Sequence, residues 1–178
     1  MLTTRSSIVA NGSKLVAAVA ICAATSITPA FAAVNAYLTL DGIDGPSPTK
    51  PHAIDILSFS VGVAAPDPSK LQKSVCSNLS VMKVLDQTSP LLFQAAVTGK
   101  PFATAVLSYD KPTGAVQQTY FTLTLENALL TSVQESGSNE NPTESVSLKS
   151  STMTFSYRPQ KPDGSLADAI VTRVTCPI

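Results

Sequence analysis

The sequence holds a single histidine, His52, no tryptophan and three cysteines in 178 residues. So few nitrogen and sulfur ligands argue against a zinc centre. His52 lies between Pro51 and Ala53 at the start of an apolar stretch, where a structural or solvent-facing role outweighs that of a general base. Serines abound, but no G-x-S-x-G elbow is present to expose one as a nucleophile. Lys and Arg together number 12, as do Asp and Glu. No basic cluster stands out, so composition gives no support for nucleic-acid binding. After residue 32 no long apolar run occurs, and no membrane association is expected once the N-terminal segment is removed.

That segment has the pattern of an address. Arg5 and Lys14 are positive, LVAAVAICAA (15–24) is apolar, and Ala30-Phe31-Ala32 has the small residues that a signal peptidase accepts. The apolar run is short for a membrane span of about 20 residues. A cleaved secretory signal over 1–32, with Ala33 as the new N-terminus, is therefore expected over a retained anchor. Residues 33–178 would form one domain in the periplasm or outside the cell. Removing Arg5 and Lys14 leaves ten basic against twelve acidic residues, a net charge of −2. Cys22 leaves with the signal, and Cys76 and Cys176 remain as an even pair. In an exported protein such a pair suggests a disulfide, with two separate buried thiols as the alternative.

Period-two patterning dominates the rest. YLTL (37–40) is a short strand. It is followed by DGIDGPSPTKP, a loop rich in turn residues in which Asp41 and Asp44 lack the full ligand series of a calcium loop. IDILSFSVGV (54–63) reads as one strand with Leu57, Phe59, Val61 and Val63 inward. LSVMKVL (79–85) reads as another. SPLLFQAAVTG is the one convincing helix: Ser89 as N-cap, Pro90 in the first turn, Gly99 at C′, and Leu92, Ala95 and Ala96 inward. Strands follow at 102–109, 117–130 and 144–157. In QQTYFTLTLENALL, Phe121, Leu123 and Leu125 alternate with polar residues. The return stretch carries Val146 and Leu148 on even positions, then Met153, Phe155 and Tyr157 on odd ones. That phase flip predicts a bulge of one extra residue near Ser150 and Ser151. Residues 134–144 read as a protruding polar loop, and AIVTRVT (169–175) closes the chain. The class is all-β with one short α-helix, a small barrel of two packed antiparallel sheets.

AYLTLDGIDG (36–45), His52 with IDILSFSVGV, DQTSPLLFQAAVTGK, YFTLTLENALLTSV and PTESVSLKSSTMTFSYRPQKPDGS, in this order, resemble the haemolysin-coregulated protein (Hcp) family of bacterial type VI secretion systems. The resemblance implies an Hcp-like barrel and self-association into homohexameric rings that stack into a tube. It also implies secretion-apparatus or effector proteins as possible partners. Two features depart from the family pattern: the N-terminal signal, and a C-terminus, AIVTRVTCPI, without the family's Gly-Trp-Asp-containing strand and tail. Val61 also stands where the family often has tryptophan. Asn78-Leu79-Ser80 matches a glycosylation sequon, to which a bacterial family gives no role.

No catalytic residues, cofactor or metal site are assigned. Glu126, Glu135, Glu140 and Glu144 could pair as acid and base, but three lie in or beside the polar loop, where solvated carboxylates are the ordinary reading. Two functions remain: a self-assembling tube subunit, or an exported Hcp-like binding or effector module that acts outside a standard secretion apparatus. An enzyme ranks behind both.

Overall fold

The structure, a computed structural model, describes residues 34–64, 75–113, 116–137 and 141–176. The expected signal segment 1–32 and its cleavage site lie outside the described residues. In chain order the elements are β1 (Asn35–Leu40), β2 (Ile54–Ile56), β3 (Ser58–Ser60), β4 (Val63–Ala64), β5 (Val75–Cys76) and β6 (Leu79–Val84). Helix α1 (Ser89–Thr98) follows, then β7 (Pro101–Thr113), β8 (Val116–Ser136), β9 (Thr143–Lys149), β10 (Thr152–Tyr157) and β11 (Ile170–Thr175).

Nine strands form one antiparallel sheet along the path β2-β1-β7-β8-β9-β6-β3, with β10 on β8 and β11 on β10, while β4 and β5 pair separately. The path ends at β2 and β3, which are neighbours on the chain with Leu57 alone between them. The sheet therefore curls until one segment serves both of its ends. This is the all-β class with one helix, built as packed antiparallel layers. The stretch 54–63 is accordingly not one strand with a single inward face. Ile54 and Ile56 are buried against β1, whereas Leu57 and Val63 are exposed. At Leu57, whose N–H donates to Met82 O at 2.8 Å, the segment changes partner from β1 to β6. A change of partner sheet edge turns the backbone and with it the inward face.

The phase flip of the return stretch has a different cause from an inserted residue. Lys149 pairs with Leu129 and Thr152 with Glu126, so each strand spends three steps between the same pairs. Instead β8 flips as well: Leu123 and Leu125 are buried before the break, Ala128 and Leu130 after it. Asn127 sits at the reversal with φ +50°. Across β7, Phe102 and then Ala105 and Leu107 are buried, and Ala103 is skipped in the pairing. One crease thus crosses three strands through Ala103, Asn127 and Ser150. The Ser150 hydroxyl lies 2.5 Å from Glu126 O and accepts from Thr152 N–H at 3.1 Å, so it satisfies backbone groups that the ladder leaves open there. A true one-residue irregularity occurs nearby, on β8 between Leu130 and Ser132.

Strand β8 runs on to Ser136, and Gln134, Glu135 and Ser136 pair with Ser145, Glu144 and Thr143. Of the expected loop 134–144, residues 134–136, 143 and 144 are therefore strand, because ladder hydrogen bonds extend the hairpin past the apolar pattern, and 138–140 lie outside the described residues. Helix α1 packs Leu92 and Ala95 into the core and ends at Gly99, φ +63°, as its sequence implies. Its N-cap position is Thr88 and no side chain caps it. The Ser89 hydroxyl is engaged elsewhere, by a buried carboxylate described below.

Asparagine tolerates the left-handed region better than other side chains, and a β-branched residue does not. Asn127→Val is expected to destabilise the fold by about 1–2 kcal/mol, while Asn127→Gly stays close to the parent. Chemical denaturation midpoints of the two variants check this.

Candidate assembly surfaces

The loop 41–53 projects from the β1–β2 edge, and close packing with polar contacts orders it. Gly45 pairs with His52, and a methyl group at Gly45 would lie 2.1 Å from the Ala53 carbonyl carbon. Glycine is required there by that approach. Tyr37, itself buried, donates or accepts a hydrogen bond with Thr49 at 2.8 Å. Lys50 reaches Asp110 at 3.1 Å and Ser108 at 2.9 Å, with its ammonium 4.9 Å from the Tyr37 ring centre. The loop is thereby tied to β7. His52 is exposed, has φ +60°, and its Nδ1 lies 2.6 Å from Asp44 Oδ1. The structure thus places it on the surface beside one carboxylate. Asp41, Asp44 and His52 line an open groove of about 770 Å³. Among the described residues no group of three His, Cys, Asp or Glu side chains is arranged to hold a metal ion.

The four glutamates do not come together. Glu126 pairs with Arg173 at 2.7 Å on the surface, Glu135 is exposed, and Glu140 lies outside the described residues. Glu144 departs from the expectation of a solvated carboxylate: it is buried, with Oε1 2.5 Å from the buried Lys83 Nζ and 3.0 Å from Ser89 Oγ. Lys83 also meets Asp86 Oδ1 at 3.1 Å. Leu85 N–H donates to Pro142 O at 3.0 Å in the same region. The start of the helix, the end of β6 and the base of the β8–β9 hairpin are thus welded by one charged cluster. Sequence reasoning missed it because Lys83 and Glu144 lie 61 residues apart. The signal that was available is the single charge in LSVMKVL, at a position in phase with Leu79 and Val81.

The two faces of α1 differ from those of an ordinary surface helix. Leu92 and Ala95 are inward, but Phe93 and Val97, one turn apart, are exposed, as is Leu91. Phe59, Tyr109, Tyr120, Phe121 and Tyr157 form a half-exposed aromatic cluster, with neighbouring ring centres 5.5 to 6.4 Å apart. Burial raises the Tyr109 and Tyr120 phenols above the ordinary tyrosine range. Tyr120 adds to the effect on Tyr109, and Tyr157 to that on Tyr120. Edge strand β11 exposes Ile170 and Val171. The structure joins Cys76 to Cys176 in a disulfide, with Cα atoms 5.7 Å apart. Asn78 donates from Nδ2 to Thr131 Oγ1 at 2.8 Å. These features suit protein contacts better than small-molecule chemistry.

Removing one partner of a buried ion pair leaves an uncompensated charge, whereas replacing both by apolar groups often does not. Glu144→Ala and Lys83→Ala should each cost about 3–5 kcal/mol. The double variant Lys83→Met/Glu144→Leu should recover most of that loss in urea unfolding.

Comparison with known proteins agrees with this reading. Residues 37–157 match the family model described as type VI secretion system effector, Hcp. Protein hcp1 of Pseudomonas aeruginosa is 32% identical over 143 residues, covering 75% of this chain and 88% of that protein. The crystal structure of Hcp1 from Salmonella typhimurium is similar at 26% identity and TM-score 0.68, covering 80% of this chain and 95% of its own. A type VI secretion system effector from Yersinia pestis shares the fold at 23% identity and TM-score 0.64, over 79% of this chain and 98% of its own.

Proposed function

The chain belongs to the Hcp family of type VI secretion systems, and from that premise we propose that it is a structural subunit that assembles with copies of itself into hexameric rings able to stack into a tube. The observation that carries the proposal is the match across 37–157, which takes in the elements from β1 to β10 that build the body. The surface supports it. A helix apolar on both faces needs a second partner besides its own core, and Phe93 and Val97 lie on the outward side. Edge strand β11 and the apolar side chains beside it offer a second, different surface. Head-to-tail ring closure requires two unlike, complementary patches of this kind. The connection from β8 to β9, residues 137–142, would reach an adjacent ring. The Lys83–Glu144 pair fixes the start of β9, into which that connection leads.

A second reading rests on the N-terminal segment and the Cys76–Cys176 bond. Both suit a protein exported to an oxidising compartment, where the same body would serve as a binding or effector module, alone or as a single ring. Signal cleavage after Ala32, with release of residues 33–178 to the periplasm or outside, belongs to this proposal. Secretion-apparatus proteins or effectors would be its partners.

Native mass spectrometry separates the tube subunit from a module that acts alone: a hexamer is the expected result for the tube subunit, and stacking seen by electron microscopy separates it from a single ring. A monomer at high micromolar concentration removes the tube reading in favour of the module. Replacing residues 137–142 by a short Gly/Ser turn should leave the fold and the ring intact and weaken stacking, as seen by circular dichroism, light scattering and electron microscopy. Loss of the ring in that variant would move the hairpin tip to the ring contact.

For export, N-terminal sequencing of protein recovered outside the cytoplasm should begin at Ala33. Protein that begins at Met1 would reject cleavage.

A further inference from the structure

Cys76 and Cys176 join two parts of the fold that otherwise share no strand pairing among the described residues. Cys76 ends the two-residue strand β5, whose partner is β4. Cys176 follows β11, which pairs along its six residues with β10 and leaves its other edge open. Side chains hold β11 weakly. Ile170, Val171, Thr172 and Arg173 are exposed. Its ion pair, Arg173 with Glu126, is exposed on both partners, and such surface pairs contribute little. Burial is concentrated at the C-terminal end, where Val174 is half-buried and Cys176 is 3% exposed. The Cys176 N–H donates to Ser151 O at 2.8 Å. The disulfide therefore pins an edge strand at the one end where it enters the core. Between the two sides lies an apolar cavity of about 280 Å³, lined by Val61, Val63, Met153, Phe155, Val174 and the bridge itself.

We propose that the Cys76–Cys176 bond is a redox-operated latch: its reduction by a dithiol loosens β11 from β10 and opens this cavity while the body around β7 and β8 stays folded. The exchange has a defined direction. Cys176 is a buried residue and Cys76 only a partly buried one, so the dithiol's thiolate attacks at Cys76. The S–S bond breaks, and its electron pair leaves on the Cys176 sulfur, which takes up a proton. The dithiol's second thiolate then displaces the Cys76 sulfur from the mixed disulfide, and that sulfur is protonated in turn. In total two electrons and two protons pass to the protein, which gains two thiols, and the reductant becomes a disulfide. The latch follows from the pairing and burial of β11 and does not depend on ring assembly. Strands β7 and β8 are each paired on both edges, so they keep their partners when β11 is released.

The test is hydrogen exchange, read by mass spectrometry, on the oxidised protein, the same protein reduced with dithiothreitol, and the Cys76→Ser variant. Peptides covering 170–176 should exchange about tenfold faster or more after reduction, while those covering β7 and β8 change by less than about twofold. Unchanged protection over 170–176 overturns the latch. Equal acceleration over β7 and β8 overturns it as well, since the bond would then staple the whole fold. Should the variant fail to fold, the reduced parent protein still gives this reading. Brief treatment with glutathione, quenching by alkylation and peptide mapping reads the order of attack. A mixed disulfide on Cys76 is expected, and one confined to Cys176 overturns the assigned direction.

Discussion

The left-handed turn of Asn127 is the constraint on which the body depends. Strand β8 runs from Val116 to Ser136, far longer than one flat layer could use. Before Asn127 it buries odd positions, and after it even ones. The first half can thus lie between β7 and β10, while the second pairs with β9 from Leu129 to Ser136 as the sheet folds over. A reversal on one strand alone would leave its neighbours facing the wrong way. The neighbours reverse at the same level, at Ala103 and at Ser150, without a change in the residue count. The crease is a property of three strands together, and the hydroxyl of Ser150 supplies hydrogen bonds where the ladder is interrupted.

A second device positions the hairpin that stands above this crease. Lys83, Asp86, Ser89 and Glu144 meet where β6 ends, the helix begins and β9 begins. Bringing a lysine and a glutamate into an interior is costly unless both are paired and hydrogen-bonded. Here Glu144 Oε1 receives both Lys83 and Ser89, while Oε2 has no partner among the described residues. Such a cluster contributes less to stability than an apolar replacement could, but it specifies one arrangement of helix and hairpin. The helix lacks a side-chain N-cap because the hydroxyl of Thr88, at the N-cap position, donates to Asp86 Oδ1 at 2.6 Å instead.

The family relationship and the particular features of this chain bear on different questions. The shared body, β1 to β10, is what type VI secretion proteins of this family have in common with it. The C-terminal strand and its link to β5 lie outside the matched span at one end, since Cys176 falls beyond residue 157. The disulfide thus ties a strand beyond that span to one within it.

Much was legible in local patterning. The alternation of Leu123 and Leu125, the inward stripe of Leu92 and Ala95, and Gly99 as the left-handed end of the helix depend only on near neighbours. Side-chain periodicity and φ preference are properties of short segments, and motifs in that order were enough to point to the family. The failures share one physical cause. The inward face of 54–63 changes because the segment exchanges β1 for β6, and 134–136 are strand because β9 lies beside them. Glu144 is buried because a lysine 61 residues away meets it. The two cysteines could be counted in the sequence, yet their adjacency depends on how β5 and β11 are brought together across 100 residues. Periodicity tells which side chains share a face. Which face is covered, and which charge finds a partner there, is decided only when distant segments pack, because burial and ion pairing are interactions between groups the chain order keeps apart.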